Sequence, residues 1–280
     1  MIQSDIDRII EAALAEDIGL GDRTSESLIS DEVRGSASIV AKGAGILCGL
    51  EIAERVFEAV DPSLSLDPVL EDGDELSGNR DPIARVSGSL KSILMAERTA
   101  LNFLQRMSGV ATMTRQYVDA IAGTTAQVVD TRKTVPGLRI LDKYAVSVGG
   151  ARNHRFGLFD GILIKDNHIA AVGGIAEAID LARRNAPHTL RIEIEAKSLA
   201  QVDQAVEAGA DIILLDNMPP AQLIDAVRRI DGRALTEASG GVTLSTIAEI
   251  ARTGVDLISV GALTHSAVAL DISLDVDEGR

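Results

Sequence analysis

Residues 198–216, SLAQVDQAVEAGADIILLD, align without a gap on residues 243–261, TLSTIAEIARTGVDLISVG. Ser198 matches Thr243 as a helix N-cap, Gly209 matches Gly254 just past each helix, and Asp211 matches Asp256 before each strand. An internal repeat of one helix and one strand predicts an α/β barrel rather than an open doubly wound sheet. Strand-like runs recur at 126–130, 161–165, 190–195, 211–216, 233–238 and 256–260. Helical patterns alternate with them at 138–148, 174–186, 198–208, 219–229 and 243–252. Six strands predict a barrel that is incomplete or gains a strand from an irregular segment.

Before Gly109 the grammar differs. A helix is expected over 4–16, a hairpin over 36–48 broken at Gly43 and Gly45, a helix over 51–60, and β segments near 64–70 and 83–88 around the turn EDGDELSGNR. Two helices, 91–107 and 110–121, follow. The division expected is an α+β sandwich over 1–109 and a barrel domain over 110–280, whose alternating tail, 268–280, returns to the first domain as a strand.

The 280 residues carry 27 Lys+Arg against 42 Asp+Glu, a net charge of −15. Only 2% are aromatic and none is Trp, which argues against base stacking, while the acidity argues against tracking a nucleic-acid backbone. Cys48 is the single cysteine, which excludes an intramolecular disulfide and a cysteine-based zinc site. The acidic start, MIQSDIDRII, lacks the features of a signal peptide, and no apolar run has the length of a membrane span, so a cytoplasmic protein is expected.

Against that acidity, residues 130–168 form a cationic island: Arg132, Lys133, Arg139, Lys143, Arg152, Arg155 and Lys165, with His154 and His168 as possible additions. A charge run is ordinarily a solvated helix face. Here several charges end apolar strands, where barrel chemistry sits, and a small polyanion is the expected ligand. The strand ends carry Asp130-Thr131-Arg132-Lys133, Lys165-Asp166, Glu193 and Glu195, Asp216-Asn217, Glu237 to Gly241, and Gly261-Ala262. Ser239-Gly240-Gly241, running into a helix that Thr243 would cap, with Gly261 on the next strand, predicts a phosphate site. Glu195 and Asp216 on adjacent strands suit Mg²⁺ together with substrate phosphates, with Glu193 as an alternative ligand. Lys165 in its apolar GILIK run also suits a Schiff-base lyase, although that chemistry does not need so many further cations. Arg98 shares a helical stripe with Leu94 and Leu101, and from position alone a nearby carboxylate is its favoured partner.

The stretches ERTALNFLQRMSGVAT (97–112), DTRKTVPGLR (130–139), LIKDNH (163–168), LLDN (214–217), EASGG (237–241) and ISVGALTHS (258–266), with KYAV, GG and NHRFGL between 143 and 158, together resemble the quinolinate phosphoribosyltransferase family from about Glu16 to Ser266. Gly149-Gly150-Ala151 stands where the family often has three glycines. A molybdenum-transport-associated group shares TRKT but lacks the full LIKDNH and LLDN signatures. The resemblance implies a sandwich domain, a barrel of six or seven strands, and a homodimer in which one first domain covers the partner's barrel mouth. It implies transfer of phosphoribosyl from phosphoribosyl pyrophosphate to quinolinate, with Mg²⁺ and loss of CO₂, in NAD synthesis. It assigns the quinolinate cradle to Arg132, His154, Arg155, Lys165 and Arg98 of the partner subunit. Thr131 and Lys133 would lie beside the phosphoribosyl pyrophosphate. Glu195 and Asp216 would face ribose and metal, Lys165 would assist as a catalytic group, and Ser239, Gly240, Gly241 and Gly261 would hold the 5′-phosphate.

Overall fold

A computed structural model describes residues 3–277. In chain order its elements are α1 (Gln3–Ile18), α2 (Arg23–Leu28), β1 (Arg34–Ala41), β2 (Ala44–Ile46), α3 (Leu50–Val60), β3 (Ser65–Pro68), β4 (Glu75–Ser77), β5 (Asp81–Ser89), α4 (Leu90–Ala120) and β6 (Gln127–Val129). There follow α5 (Arg139–Val148), β7 (Ile162–Ile164), α6 (Asp166–Val172), α7 (Ile175–Asn185), β8 (Ile192–Ala196), α8 (Leu199–Glu207), β9 (Ile212–Asp216) and α9 (Pro220–Ile230). The last are β10 (Leu235–Ser239), α10 (Ile247–Ala251), β11 (Leu257–Ser259), α11 (Ala262–His265) and β12 (Ile272–Val276). Two compact units result: the first takes the chain up to Arg115, Val135–Gly150 and the tail from Ser266, and the second takes Gln116–Thr134 and Ala151–His265.

The first unit holds an antiparallel sheet in the order β12-β1-β5-β3. Ala37, Ile39 and Ala41 alternate inward on β1, while Ser36 and Ser38 donate to Asp277 at 2.6 and 3.0 Å. The tail strand pairs with β1 from Ala37↔Val276 to Ala41↔Ile272, as its alternating sequence predicts. Val56, Phe57, Leu101 and Leu104 are fully buried in this unit, each such side chain contributing roughly 1.5–3 kcal/mol.

Two local expectations need correction. Residues 36–48 are not a hairpin: β2 pairs with β4, a strand inside the acidic turn. The Lys42 and Gly43 N–H groups both donate to the Asp271 carbonyl, and Ile46 N–H donates to Thr112 Oγ1 at 2.8 Å, which draws the chain away from β1. The helices 91–107 and 110–121 are one helix, α4. Gly109 does not break it; a Cβ there would lie 2.1 Å from the Val268 carbonyl oxygen, so glycine serves close backbone approach. The helix at 139–148 belongs to the first unit. There Arg106 binds Asp142 through Nε and Nη2 at 2.8–3.0 Å, and Tyr144 donates to Asp72 at 2.9 Å.

The second unit holds all six expected parallel strands in the order β6-β11-β10-β9-β8-β7. This is the cyclic order of a barrel, but among the described residues β6 and β7 form no ladder with each other. Arg152 adds a single parallel bridge to Val129 beside β6. Ile194, Ile213, Leu215 and Ile258 fill the strand interiors, as expected where a parallel sheet is covered on both faces. Among the described residues no helix is long and apolar enough to cross a membrane.

Candidate active site

The strand ends of the second unit surround a cavity of about 720 Å³, the size of a small-molecule site. Parallel register brings the strands to a common level: Glu195 stands opposite Leu214, Asp216 opposite Ser239, and Ser239 opposite Ser259. Because side chains alternate along a strand, Glu193 and Glu195 share one face of β8, and Glu237 and Ser239 share one face of β10.

Almost every residue singled out from the sequence lines this cavity. Thr131, Arg132 and Lys133 enter after β6, His154 and Arg155 from the following loop, and Lys165 from the end of β7. Glu195 and Asp216 come from β8 and β9, Ser239, Gly240 and Gly241 from β10, and Gly261 from β11. Arg98 does not line it; it lies in the first unit, more than half exposed, with Glu97 3.7 Å away. His168 is not among the lining residues either. Its Nδ1 accepts the Lys165 N–H at 3.0 Å, a local bond at the start of α6.

The loop after β6 is fixed locally. Thr131 Oγ1 accepts the Lys133 N–H at 3.0 Å, and Thr264 Oγ1 donates to the Lys133 carbonyl at 2.8 Å. A Cβ on Gly261 would lie 3.0 Å from Lys133 Cδ, so glycine leaves room for that side chain. Arg155 donates to the Gly161 carbonyl at 2.8 Å. The buried Nε atoms of Arg132 and Arg155 have no hydrogen-bond acceptor. Burial and the charge of Arg132 lower the Arg155 pKa. Two crowded, under-coordinated guanidinium groups are what an incoming dicarboxylate would satisfy.

Opposite them stand the acids. Asp216 accepts from Asn217 Nδ2 at 2.9 Å, and Glu195 is 3.5 Å from Lys197, which also pairs with Asp166 at 2.7 Å. The two carboxylates are hard oxygen donors at neighbouring strand ends, a set that fits Mg²⁺ shared with phosphates. Gly240 and Gly241 take φ values of +100° and +62°, and a Cβ on Gly240 would strike the Asn217 side chain. Thr243 does not cap a helix as expected. Residues 243–246 form a hydroxyl-bonded turn, and α10, only five residues long, starts at Ile247 after Thr246.

The sequence places Asn217 and Glu237 at strand ends but assigns them no role, and carries His265 only within a longer motif; all three line the cavity. Glu237 is 1% exposed, and Glu193 beside it is 4% exposed. The available signal was a carboxylate inside a short parallel strand, where both faces are normally apolar. Asp130, wholly buried, accepts the His154 N–H at 2.7 Å and so fixes the loop that carries Arg155. Lys165 is exposed, which does not suit the desolvated amine of a Schiff-base enzyme.

Comparison with known proteins agrees with this geometry. Residues 110–275 match the family model for the quinolinate phosphoribosyl transferase C-terminal domain, and residues 22–108 match that for its N-terminal domain. A probable nicotinate-nucleotide pyrophosphorylase (carboxylating) of Bacillus subtilis is 45% identical over 96% of this chain and 92% of its own. A chloroplastic nicotinate-nucleotide pyrophosphorylase (carboxylating) of Arabidopsis thaliana is 44% identical over 98% of this chain and 83% of its own. The crystal structure of NadC from Streptococcus pyogenes superposes with a TM-score of 0.95 at 42% identity, covering 99% of both chains. The chain belongs to the quinolinate phosphoribosyltransferase family.

Proposed function

We propose that this protein transfers phosphoribosyl from phosphoribosyl pyrophosphate to the ring nitrogen of quinolinate with loss of CO₂. The products are nicotinate mononucleotide and pyrophosphate, a step toward NAD. The observation that carries the reading is one cavity with guanidinium groups on one side and a carboxylate pair with a Gly-Gly turn on the other. Relatives named nicotinate-nucleotide pyrophosphorylase (carboxylating) over nearly the whole chain support it.

In this reading Arg132, Arg155 and Lys165 hold the two adjacent carboxylates of quinolinate, and Arg98 of the partner subunit completes the cradle in a cytoplasmic homodimer. The first unit is the domain that covers the partner's site. Thr131 and Lys133 bind the pyrophosphate side, and Ser239, Gly240, Gly241 and Gly261 bind the 5′-phosphate. Glu195 and Asp216 would hold Mg²⁺ with the substrate's phosphates, and the bound ion would supply positive charge against the departing pyrophosphate. The same carboxylates favour positive charge developing on the ribose. Once the ring nitrogen is alkylated, its charge stabilises the electron pair left at the adjacent carbon when CO₂ departs. Lys165 assists by orienting the carboxylate that leaves.

The test is release of labelled CO₂ from carboxyl-labelled quinolinate. The reading expects release only with both phosphoribosyl pyrophosphate and Mg²⁺, and undiminished release from Lys165→Met would remove that lysine's role. Release without phosphoribosyl pyrophosphate, or a covalent adduct trapped by borohydride, would overturn the assignment.

A further inference from the structure

Asn217 lines the cavity, and the transfer scheme leaves it without a part. Its backbone is unusual. Among the described residues only Arg80, Asn217 and Asp231 take positive φ without being glycine. Arg80 lies in the turn between β4 and β5, and Asp231 caps the end of α9. Asn217 alone takes the left-handed conformation, at φ +54°, at the end of a strand inside the cavity. A residue with a side chain holds that conformation only where its surroundings demand it.

Two bonds supply the demand. The Asn217 N–H donates to the Ser239 carbonyl at 2.8 Å, one step beyond the rung that pairs Asp216 with Ser239. Its Nδ2 donates to Asp216 Oδ1 at 2.9 Å. Neighbours in an extended strand point to opposite faces, so a continued β9 would carry the Asn217 side chain away from Asp216. The left-handed turn brings it back. A carboxylate only accepts hydrogen bonds, so the amide must present its NH₂ to Asp216 and turn Oδ1 the other way. On that other side stands Gly240. A Cβ at Gly240 would lie 2.3 Å from Asn217 Oδ1 and 2.5 Å from its Cγ. The amide thus fills the space that a side chain on the Gly-Gly turn would occupy.

We propose that Asn217 is a positioning residue for the phosphate half of the cavity. Its amide sets the direction of the Asp216 carboxylate and seats the Gly240-Gly241 turn beside it, so that the ends of β9 and β10 act as one piece. Substitution at Asn217 therefore weakens the use of phosphoribosyl pyrophosphate and spares that of quinolinate, whose assigned groups come from β7 and the loops after β6. The proposal rests on the phosphoribosyltransferase reading for the names of the two substrates, but not for the geometry.

Two variants test it. Asn217→Gly takes the left-handed conformation freely and keeps the N–H to Ser239, but has no amide. Asn217→Asp keeps the shape and tolerates the conformation, but sets an acceptor against an acceptor. Asn217 is exposed to the cavity, so the melting temperature of Asn217→Gly should stay close to that of the wild type. Crystal structures of the ligand-free wild type and Asn217→Gly provide the first readout. The Asp216 carboxylate should leave its wild-type position in the variant, and a carboxylate that keeps its place overturns the proposal. Steady-state kinetics provide the second. With Mg²⁺ present, the KM for phosphoribosyl pyrophosphate should rise roughly tenfold in Asn217→Gly, and that for quinolinate should stay within about twofold of the wild type. Asn217→Asp should lose at least as much as Asn217→Gly. Equal rises in both KM values would reduce Asn217 to general structural support, and wild-type kinetics in Asn217→Asp would show that shape alone matters; either overturns the proposal. Absence of CO₂ release by the wild type would instead sink the transferase reading and leave the crystallographic comparison valid.

Discussion

The two units differ in where their unsatisfied buried groups lie: those of the first, Arg55 Nη1, Arg115 Nε and Ser273 Oγ, are not among the residues lining the cavity. In the first, Asp142 is 1% exposed and takes three guanidinium bonds from Arg106 and a fourth from the Val135 N–H. Asp72 accepts the N–H groups of Gly49 and Leu50 at the start of α3, and Asp277 takes two serine hydroxyls and Arg85. In the second unit, the buried side-chain atoms without a hydrogen bond belong, among the described residues, to Arg132, Arg155, Glu193 and Glu237. Arg132, Arg155 and Glu237 line the cavity, and Glu193 lies 3.0 Å from His154, which also lines it. Satisfied charges hold a fold together, and unsatisfied ones mark where a ligand or a proton completes the network.

Crossed substitutions would break that contrast if it is wrong. Arg132→Ala removes a guanidinium group that the proposed function assigns to substrate. The specificity constant for quinolinate should fall by about 3 kcal/mol, roughly a hundredfold or more, with little change in melting temperature. Asp142→Ala takes three bonds from the Arg106 guanidinium and one from the Val135 N–H. Burial raises the Asp142 pKa and Arg106 lowers it, the balance of a desolvated but paired group. Since Arg106 keeps some solvent contact, the loss should sit near the low end for a broken buried pair, about 3 kcal/mol of stability measured by urea unfolding. Arg132→Ala that unfolds the protein, or Asp142→Ala that leaves stability untouched, would erase the distinction.

The same contrast explains what could be read in advance. The β-then-α alternation of the second unit was legible because each parallel strand is a short apolar run ended by a charge, and such ends are where loops gather. The cavity followed from those ends. The first unit was less legible because its elements are set by contacts distant in sequence. Neither Ile46 bonding to Thr112 nor Arg106 to Asp142 leaves a periodic trace, so the partner of β2 was misread. Glu237 was visible as a strand-end acid, but its place 3.8 Å from His154, which lies far from it in sequence, was not. The bond from the Arg155 N–H to His154 Nδ1 is likewise encoded in no residue pattern.

Gly109 sharpens the comparison on the side of the fold. Alanine is normally the better helix former by about 1 kcal/mol. Within α4, its Cβ would meet the Val268 carbonyl oxygen at 2.1 Å, and the chain that must yield is backbone leading to β12. Gly109→Ala should therefore lose about 2 kcal/mol by urea unfolding despite its higher propensity. A gain in stability would show that α4 and the tail can separate at little cost.

The smallest effect separates the two copies of the internal repeat. Gly209 and Gly254 both take positive φ, +75° and +89°, after their helices, and the aspartate two residues on reaches the neighbouring strand in each copy. Asp211 accepts only the Ile192 N–H there, at 2.7 Å. Asp256 accepts both the N–H and the hydroxyl of Thr236, at 2.8 and 2.7 Å, and its own N–H returns to that hydroxyl at 2.8 Å. Thr236 is 3% exposed, so removing its partner orphans two buried donors, and water cannot easily replace it. Asp256→Ala should cost about 2 kcal/mol and Asp211→Ala about 1 kcal/mol, each read from unfolding midpoints at constant m. The order matters more than the values. Thr236 precedes Glu237, so the second copy of the repeat also fixes the strand that carries the buried acid, whereas the first copy fixes the start of the strand that carries Glu193.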